Sequence, residues 1–477
     1  MTSREFRKYA HEIVDWMADY LEDVEQFPVR PHVGPGDILG RLPLHPPLGG
    51  EPFAAIFADF RNTILPGMTH WQHPSFFAYF PANNSPPSIL AEMLTATMGA
   101  QCMSWATSPA ATELEERMMQ WLGEMTGLPP SFTGVIQDTA STATLCAILT
   151  ARERRSEFRV NEEGLHRGHR FAVYSSTETH SSIERAAKIA GLGAASVRKL
   201  PVDDRFAMIP EELERAITRD IAEGFDPLCA VATIGTTGST AIDPLKRIGE
   251  ICARHAIWLH VDAAYAGTAL LLPELRWMID GIELADSFVF NPHKWMFTNF
   301  DCSAYFVKDA GLLVRTFEIL PEYLKTPERD RVHNYRDWGI QLGRRFRALK
   351  LWFVIRSFGV EGLRERIRAH LGYAQSFARN VGREPDFEIM APAPLAAVCF
   401  RYHPPGVDDP AALDSMNSAL LAELNSSGRM FITHTRLNGR LALRFVASQT
   451  TVVQRHIDAA WDLIRTVARS RGPAGPA

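Results

Sequence analysis

SFVFNPHKW, residues 287–295, decides how this chain is read. Ser287 to Phe290 is a short apolar run of the kind that forms a strand covered on both faces, and Pro292 ends it. Lys294 therefore stands at a strand's exit, where partial desolvation disfavours the ammonium form and supplies a free amine for Schiff-base chemistry. A strand-end lysine is weak evidence by itself, because most lysines are solvated. Comparable runs recur upstream at Gly134 to Gln137, Phe171 to Tyr174, Cys229 to Ile234 and Ile257 to Val261. Stretches of helical period lie between them, so the chain from about Leu90 to Phe358 reads as βαβ units building a largely parallel sheet. Ligands of such sheets bind beyond the carboxyl ends of the strands, and each run here ends in a polar cluster.

Those clusters carry the candidate chemistry. In AIWLHVDAAYAG, Asp262 ends a strand among small residues that leave space around it, inviting a buried cation; the plainer reading is a helix cap. A protonated pyridine nitrogen, as in pyridoxal 5′-phosphate, is such a cation. One right-handed crossover fits between Asp262 and Lys294, so both can open on the same sheet edge. In GVIQDTASTATL a strand runs through the polar turn Asp138 to Thr142 into a helix, and Thr139, Ala140 and Ser141 sit where backbone N–H groups bind phosphate. His180, in THSS, follows another strand and can lie over a ring, although a solvated loop histidine is commoner. Ser181 and Glu184 after it read as a capping box, and Thr236 and Thr237 lie just past the run Cys229 to Ile234.

The ends of the chain read differently. Phe6, Tyr9, Ile13, Met17, Tyr20 and Val24 recur at helical spacing, and a Pro- and Gly-rich arm follows. After about Gly372 comes a smaller α+β unit, with LAAVCFRY as a strand, a hairpin turning at Asn438 and Gly439, and a last helix from about Val452 to Val467. The expected organisation is an N-terminal helical arm over 1–85, a large domain over 86–371 and a small domain over 372–477. With 46% hydrophobic and 22% charged residues the composition is that of a globular protein. Fifty Lys and Arg against 55 Asp and Glu give a net charge of −5, which offers no grip on nucleic acid. Six scattered cysteines without a CxxC pair read as reduced core residues, and no metal site is assigned. The lack of a signal peptide or bilayer-length apolar run points to a cytoplasmic protein.

None of these signals is specific alone, but their order is. With NPHKW, HVDAAYAG, GVIQDTAST and THSS in place, the sequence resembles the pyridoxal-phosphate group II decarboxylases, specifically the aromatic-L-amino-acid decarboxylases. The match runs nearly end to end through HPSFFAYFPANNSPPSILAEML, SWATSPAATELEERMMQWLG, NFDCSA and LGRRFRALKLWF. The resemblance implies the aspartate-aminotransferase-like fold type I and an obligate homodimer with active sites at the interface. It implies that Lys294 carries the cofactor, Asp262 pairs with its pyridine nitrogen, and His180 stacks on its ring. It also implies that Ala140, Ser141, Thr237 and Asn291 bind the cofactor with His293 beside them, and that Tyr323 is a loop proton donor. Trp71, Tyr79, Phe80 and, from the second subunit, Met103 resemble the family's aromatic substrate pocket. Ala82 stands where a threonine is common in catechol-preferring members, and Gly343 where a small residue accompanies indole substrates in plant relatives. Tryptophan is the favoured substrate on that pattern, with phenylalanine, tyrosine and L-DOPA open. Related enzymes with phenylalanine at the Tyr323 position are aldehyde synthases, the nearest competing activity; a catalytically silent binding protein is a remote one.

Overall fold

The computed structural model describes residues 1–166, 168–319 and 331–470, so Tyr323 lies outside the described residues. Seven strands, β1 (Thr133–Gln137), β2 (Phe171–Ser176), β3 (Val197–Leu200), β4 (Asp226–Thr233), β5 (Trp258–Asp262), β6 (Ser287–Phe290) and β7 (Ser303–Val307), form one sheet in the order β1-β7-β6-β5-β4-β2-β3. Neighbours from β6 through β5, β4 and β2 to β3 are parallel, whereas β7 runs antiparallel to both β1 and β6. It follows that β1, β2, β4, β5 and β6 all point the same way. Their carboxyl ends share one edge, the edge at which a doubly wound sheet binds its ligand.

The five expected runs are all strands, and the sheet holds two more. β3 was illegible because VRKL has no apolar run; it is an edge strand with half-exposed residues, where charge is tolerated and discourages further pairing. The helix Ala140–Ser156 lies across the sheet. Leu145, Ile148 and Ala151 pack with Val173, Val231 and Trp258, while Ala143 and Ala147 pack with Val135, Val289 and Tyr305. The small residues after Asp262 serve close packing rather than open space. Ala263 and Ala266 are fully buried, and a Cβ on Gly267 would stand 2.2 Å from Phe290 Cβ. Glycine is what lets the turn after β5 press on the end of β6.

Two compact units are distinguished. One comprises Ala82–Gln375 with Ala391–Val398 and holds the seven-stranded sheet; the other comprises Met1–Pro81, Ser376–Met390 and Cys399–Ala477. In the latter, the helix Ser3–Glu22 lays Tyr9 against Phe53 (4.7 Å between ring centroids) and Trp16 against Phe60 (5.1 Å). Phe77 stacks on Phe445 at 4.2 Å, tying the N-terminal segment to the C-terminal one. A four-stranded sheet has the order β10-β11-β9-β8, from β8 (Phe387–Ile389), β9 (Ala397–Tyr402), β10 (Thr433–Leu437) and β11 (Arg440–Val446). The β10–β11 hairpin turns at Asn438 (φ 49°) and Gly439 (φ 78°), the left-handed pair a tight hairpin demands. No helix among the described residues is long and apolar enough to cross a membrane.

Candidate active site

Lys294 lies on a single helical turn, Pro292–Trp295, that leaves the end of β6. That turn is pinned from several directions. Asn291 N–H donates to Ala264 O (3.0 Å), and Ser303 Oγ donates to Asn291 Oδ1. Trp295 stacks on Tyr265 with ring centroids 4.6 Å apart and donates from Nε1 to His370 Nδ1 at 2.9 Å. Asn83 donates from Nδ2 to the Lys294 carbonyl at 2.7 Å, holding the backbone of this half-buried residue. His293 accepts the Cys302 N–H at Nδ1 (2.9 Å); burial, with Lys294 and Lys350 nearby, pushes its pKa down to about 3. Its ring is neutral with the proton on Nε2. Phe300, largely exposed, lies against it at 4.7 Å.

Asp262 ends β5, next to β6. Its Oδ1 accepts the Ala264 N–H at 3.0 Å, a local turn contact, and the residue is buried. Ile234 N–H donates to Asp262 O (2.9 Å) and Ala263 N–H to Val289 O (2.9 Å), so the ends of β4, β5 and β6 are bonded side by side. His180, past β2, keeps one side toward solvent. The surrounding protein lowers its pKa and Lys294 adds to that, while the Asp262 charge opposes it, so the imidazole senses both groups. The expected capping box is corrected here. Ser181 has helical backbone and makes no side-chain cap; instead His180 Nδ1 accepts the Ser182 N–H (3.2 Å) and sits 2.9 Å from Ser182 Oγ. A backbone N–H can only donate, so the neutral imidazole carries its proton on Nε2.

At the end of β1, Thr139 caps the helix Ala140–Ser156. Its Oγ1 accepts the Thr142 N–H at 3.4 Å, and Asp138 Oδ1 takes the Thr139 N–H at 2.6 Å. The N–H groups of Ala140 and Ser141 belong to the first turn, which has no acceptor within its own helix, so they are suited to an anion. Past β4 the two threonines part company. Thr236 Oγ1 accepts the Ala241 N–H (3.0 Å) and finishes a turn, leaving Thr237 exposed.

The remaining predicted residues form two further groups. Met103 and Gly343 share a patch: Cys102 N–H donates to Arg344 O (2.9 Å), Arg344 N–H to Gln101 Oε1 (2.7 Å) and Arg336 N–H to Met103 O (2.9 Å). In the other unit Trp71 and Tyr79 stack at 5.8 Å and both are exposed. Tyr79 has φ 54°, a left-handed conformation that strains a bulky residue. Buried Arg444 donates to the Tyr79 carbonyl at 2.9 Å and lies over the Phe80 ring at 4.5 Å. Ala82, half-buried, begins the unit that holds the sheet. Asn83 and Arg444 escaped the reading of the sequence: one is an amide in a Pro-rich loop, the other a charge on an alternating strand.

A lysine, a buried carboxylate, an imidazole and a helix N-terminus on one edge of a mostly parallel sheet define an enzyme site for an anionic, electron-withdrawing aldehyde cofactor. Pyridoxal 5′-phosphate fits these residues, with an amine for its aldehyde, an anion site for its phosphate and a carboxylate for its ring nitrogen. The chain belongs to the pyridoxal-dependent decarboxylases: the conserved domain of that family matches residues 35–403. The chain is 42% identical over 471 residues to tryptophan decarboxylase TDC2 of Camptotheca acuminata, covering 97% of this chain and 94% of that one. To the phenylacetaldehyde synthase of Arabidopsis thaliana it is 43% identical over 478 residues, covering 98% and 96%. Among solved structures, the Oryza sativa TDC with PLP and tryptamine superposes with a TM-score of 0.96 at 36% identity, covering 99% of both chains.

Proposed function

We propose that the chain decarboxylates an aromatic L-amino acid to the corresponding arylalkylamine, with tryptophan the favoured substrate and phenylalanine, tyrosine and L-DOPA as alternatives. The observation that carries this is the gathering of Lys294, Asp262 and His180 at one sheet edge, close enough for Lys294 and Asp262 to move the histidine's pKa in opposite directions. When bound, pyridoxal 5′-phosphate supplies a conjugated ring that accepts the electron pair left at Cα as CO2 departs. Lys294 holds the cofactor and yields to the substrate's amine. Asp262 keeps the ring nitrogen positive. Ala140, Ser141 and Thr139 cradle the phosphate, with Thr237, Asn291 and His293 around the cofactor. His180, through its Nε2–H, orients the substrate carboxylate, and Tyr323 returns a proton to Cα. Trp71, Tyr79, Phe80, Ala82, Met103 and Gly343 select the side chain; the tryptophan decarboxylase relatives support an aromatic one.

A second reading, an aldehyde synthase, is favoured by the phenylacetaldehyde synthase relative and opposed by Tyr323. Mass-spectrometric product analysis of cofactor-loaded protein against tryptophan, phenylalanine, tyrosine, L-DOPA and glutamate separates the two. Amine supports decarboxylation, aldehyde with peroxide the synthase, and amine from glutamate alone overturns the aromatic reading. Tyr323→Phe is expected to divert product from amine to aldehyde, and an unchanged amine yield would remove Tyr323 from the mechanism.

The working form in this proposal is a homodimer in the cytoplasm. Leu39, Leu42, Leu44 and Leu48 of the Pro-rich arm are exposed, and Leu90, Leu94 and Met98 form an exposed stripe on the helix Pro86–Met98. Such patches suit burial against a second copy, and a monomeric mass by light scattering would contradict it. Six buried, unbridged cysteines accord with a reducing compartment.

A further inference from the structure

Beneath the cofactor edge, in the plane between the sheet and the helix Ala140–Ser156, a chain of hydrogen bonds runs through His260. Two residues before Asp262 on β5, His260 shares its face of the strand. It is wholly buried, as are Thr144 and Ser287, and Trp258 is almost so. The Trp258 indole Nε1–H can only donate, and it does so to Ser287 Oγ at 2.9 Å. The Ser287 hydroxyl can in turn donate to His260 Nδ1, 2.9 Å away. In that tautomer the ring proton is on Nε2, facing Thr144 Oγ1 at 3.2 Å. One neutral imidazole, held so by burial that lowers its pKa to about 4, thereby uses both nitrogens, one accepting and one donating.

The three elements joined here carry the contacts proposed above for the cofactor's phosphate, ring nitrogen and aldehyde. Thr144 belongs to the helix whose first residues are Ala140 and Ser141; His260 to β5, which ends at Asp262; Ser287 to β6, which runs into Lys294. The phosphate, the ring nitrogen and the aldehyde carbon of one rigid cofactor must meet these three ends at once, so the spacing between the elements has to be set before the cofactor arrives. A second strap ties the same helix down near its far end: Arg154 Nη1 donates to Asp286 Oδ1 (2.8 Å), and Asp286 Oδ2 accepts the Leu259 N–H (2.8 Å). The two straps have different jobs by position. The Arg154 strap lies at the helix end away from the cofactor edge, whereas the His260 link lies one turn below the phosphate-binding residues.

We propose that His260 is a positioning residue for the cofactor, fixing helix Ala140–Ser156, β5 and β6 in one frame through Thr144 and Ser287. This rests on the site reading above, and the experiment separates the two. The full-length protein is stripped of cofactor and titrated with pyridoxal 5′-phosphate, following intrinsic fluorescence quenching and the visible band. Disappearance of that band in Lys294→Ala tests the site itself.

Thr144→Val keeps shape and deletes only the helix link; it is expected to weaken cofactor binding by about three- to tenfold, and His260→Leu by about tenfold or more. His260→Gln can still accept from Ser287 and donate to Thr144, so it should recover most of the loss. Asp286→Asn, which cuts the far strap, should lower the melting temperature and leave cofactor affinity within about twofold. Parent affinity and an unshifted visible band in Thr144→Val would overturn the proposal even if His260→Leu does not fold. So would an equal loss of affinity in Asp286→Asn, because the link would then be acting through general stability.

Discussion

The cofactor edge of the seven-stranded sheet and the aromatic platform around Tyr79 are built on opposite plans. At the edge, His293, Asn83 and Asp262 are 3%, 1% and 4% exposed, and the side chain of each is hydrogen-bonded to the backbone. On the platform Trp71 and Tyr79 are 38% and 50% exposed, and Tyr79 is held in a left-handed conformation by one arginine. Bond breaking at Cα demands that an amine, a carboxylate and an anion site stay within tenths of an ångström of their places, and rigid strand ends supply that. Selecting a side chain demands only a fitting apolar surface, and loops supply that while remaining free to vary. In the function proposed above, the contrast assigns reaction type to the edge and substrate choice to the platform.

The largest effects should come from the edge. Lys294→Ala is expected to abolish the visible band and to cut turnover by at least about 10⁴-fold while the circular dichroism spectrum is unchanged. Asp262→Asn should lower kcat by roughly 10²- to 10³-fold with little change in KM, because the ring nitrogen loses the charge that keeps it protonated. Steady-state kinetics check both. Comparable losses from removing the Trp71 or Tyr79 ring would erase the distinction between the two regions.

How far each region could be read from the sequence follows the same division. Strands such as SFVF and WLHVD announce themselves because a doubly covered strand must be apolar throughout, and the functional residue follows where the run stops. The strand-end positions of Lys294, Asp262 and the Thr139–Ser141 turn were therefore legible. Asn83 was not, since nothing in PANNSPP says that one of its amides reaches a carbonyl more than 200 residues away. The Ser181–Glu184 pattern misled for a local reason: it has the spacing of a capping box, but Ser181 has helical rather than extended backbone, and the first turn is met by the imidazole of His180 at the Ser182 N–H. His260 sits inside an otherwise apolar strand, where only the need of a buried histidine to find partners for both nitrogens hints at a role.

Acid should expose the cost of the buried edge. His293 and His260 have pKa values lowered to about 3 and 4 by burial, and His73 in the other unit is lowered to about 4. Below about pH 6.5 the unfolded chain protonates these rings and the folded chain does not, so folding stability is full above that pH and falls as pH drops toward 4. Buried Asp243 works the other way. Its pKa is raised from 3.8 to about 6, so the folded state retains a proton that the unfolded state releases, and stability is lost as pH rises from 3.8 through 6. Three histidines outweigh one carboxyl, and between pH 6 and 5 the net loss on acidification should be on the order of 2 kcal/mol. Urea midpoints at the two pH values measure it. An equal or higher midpoint at pH 5 would mean that these rings accept protons without unfolding.

The smallest effect belongs to Gly343. A Cβ there would approach the Gln101 side-chain amide nitrogen at 3.2 Å; that amide accepts the Arg344 N–H at Oε1 and has to shift only by a few tenths of an ångström, and both Gln101 and Gly343 are exposed. Gly343→Ala should therefore leave folding and cofactor binding alone. What it changes is the surface shared with Met103, where one added methyl reduces room for a bicyclic ring more than for a phenyl ring. The ratio of kcat/KM for tryptophan over phenylalanine should fall by about three- to tenfold, the usual worth of a methyl group in an apolar pocket. Competition between the two amino acids in one reaction vessel gives that ratio directly. A ratio that does not move would detach the Met103–Gly343 patch from substrate selection and leave it to the Trp71–Tyr79 platform. A collapse in turnover for both substrates would instead make the patch part of the rigid edge.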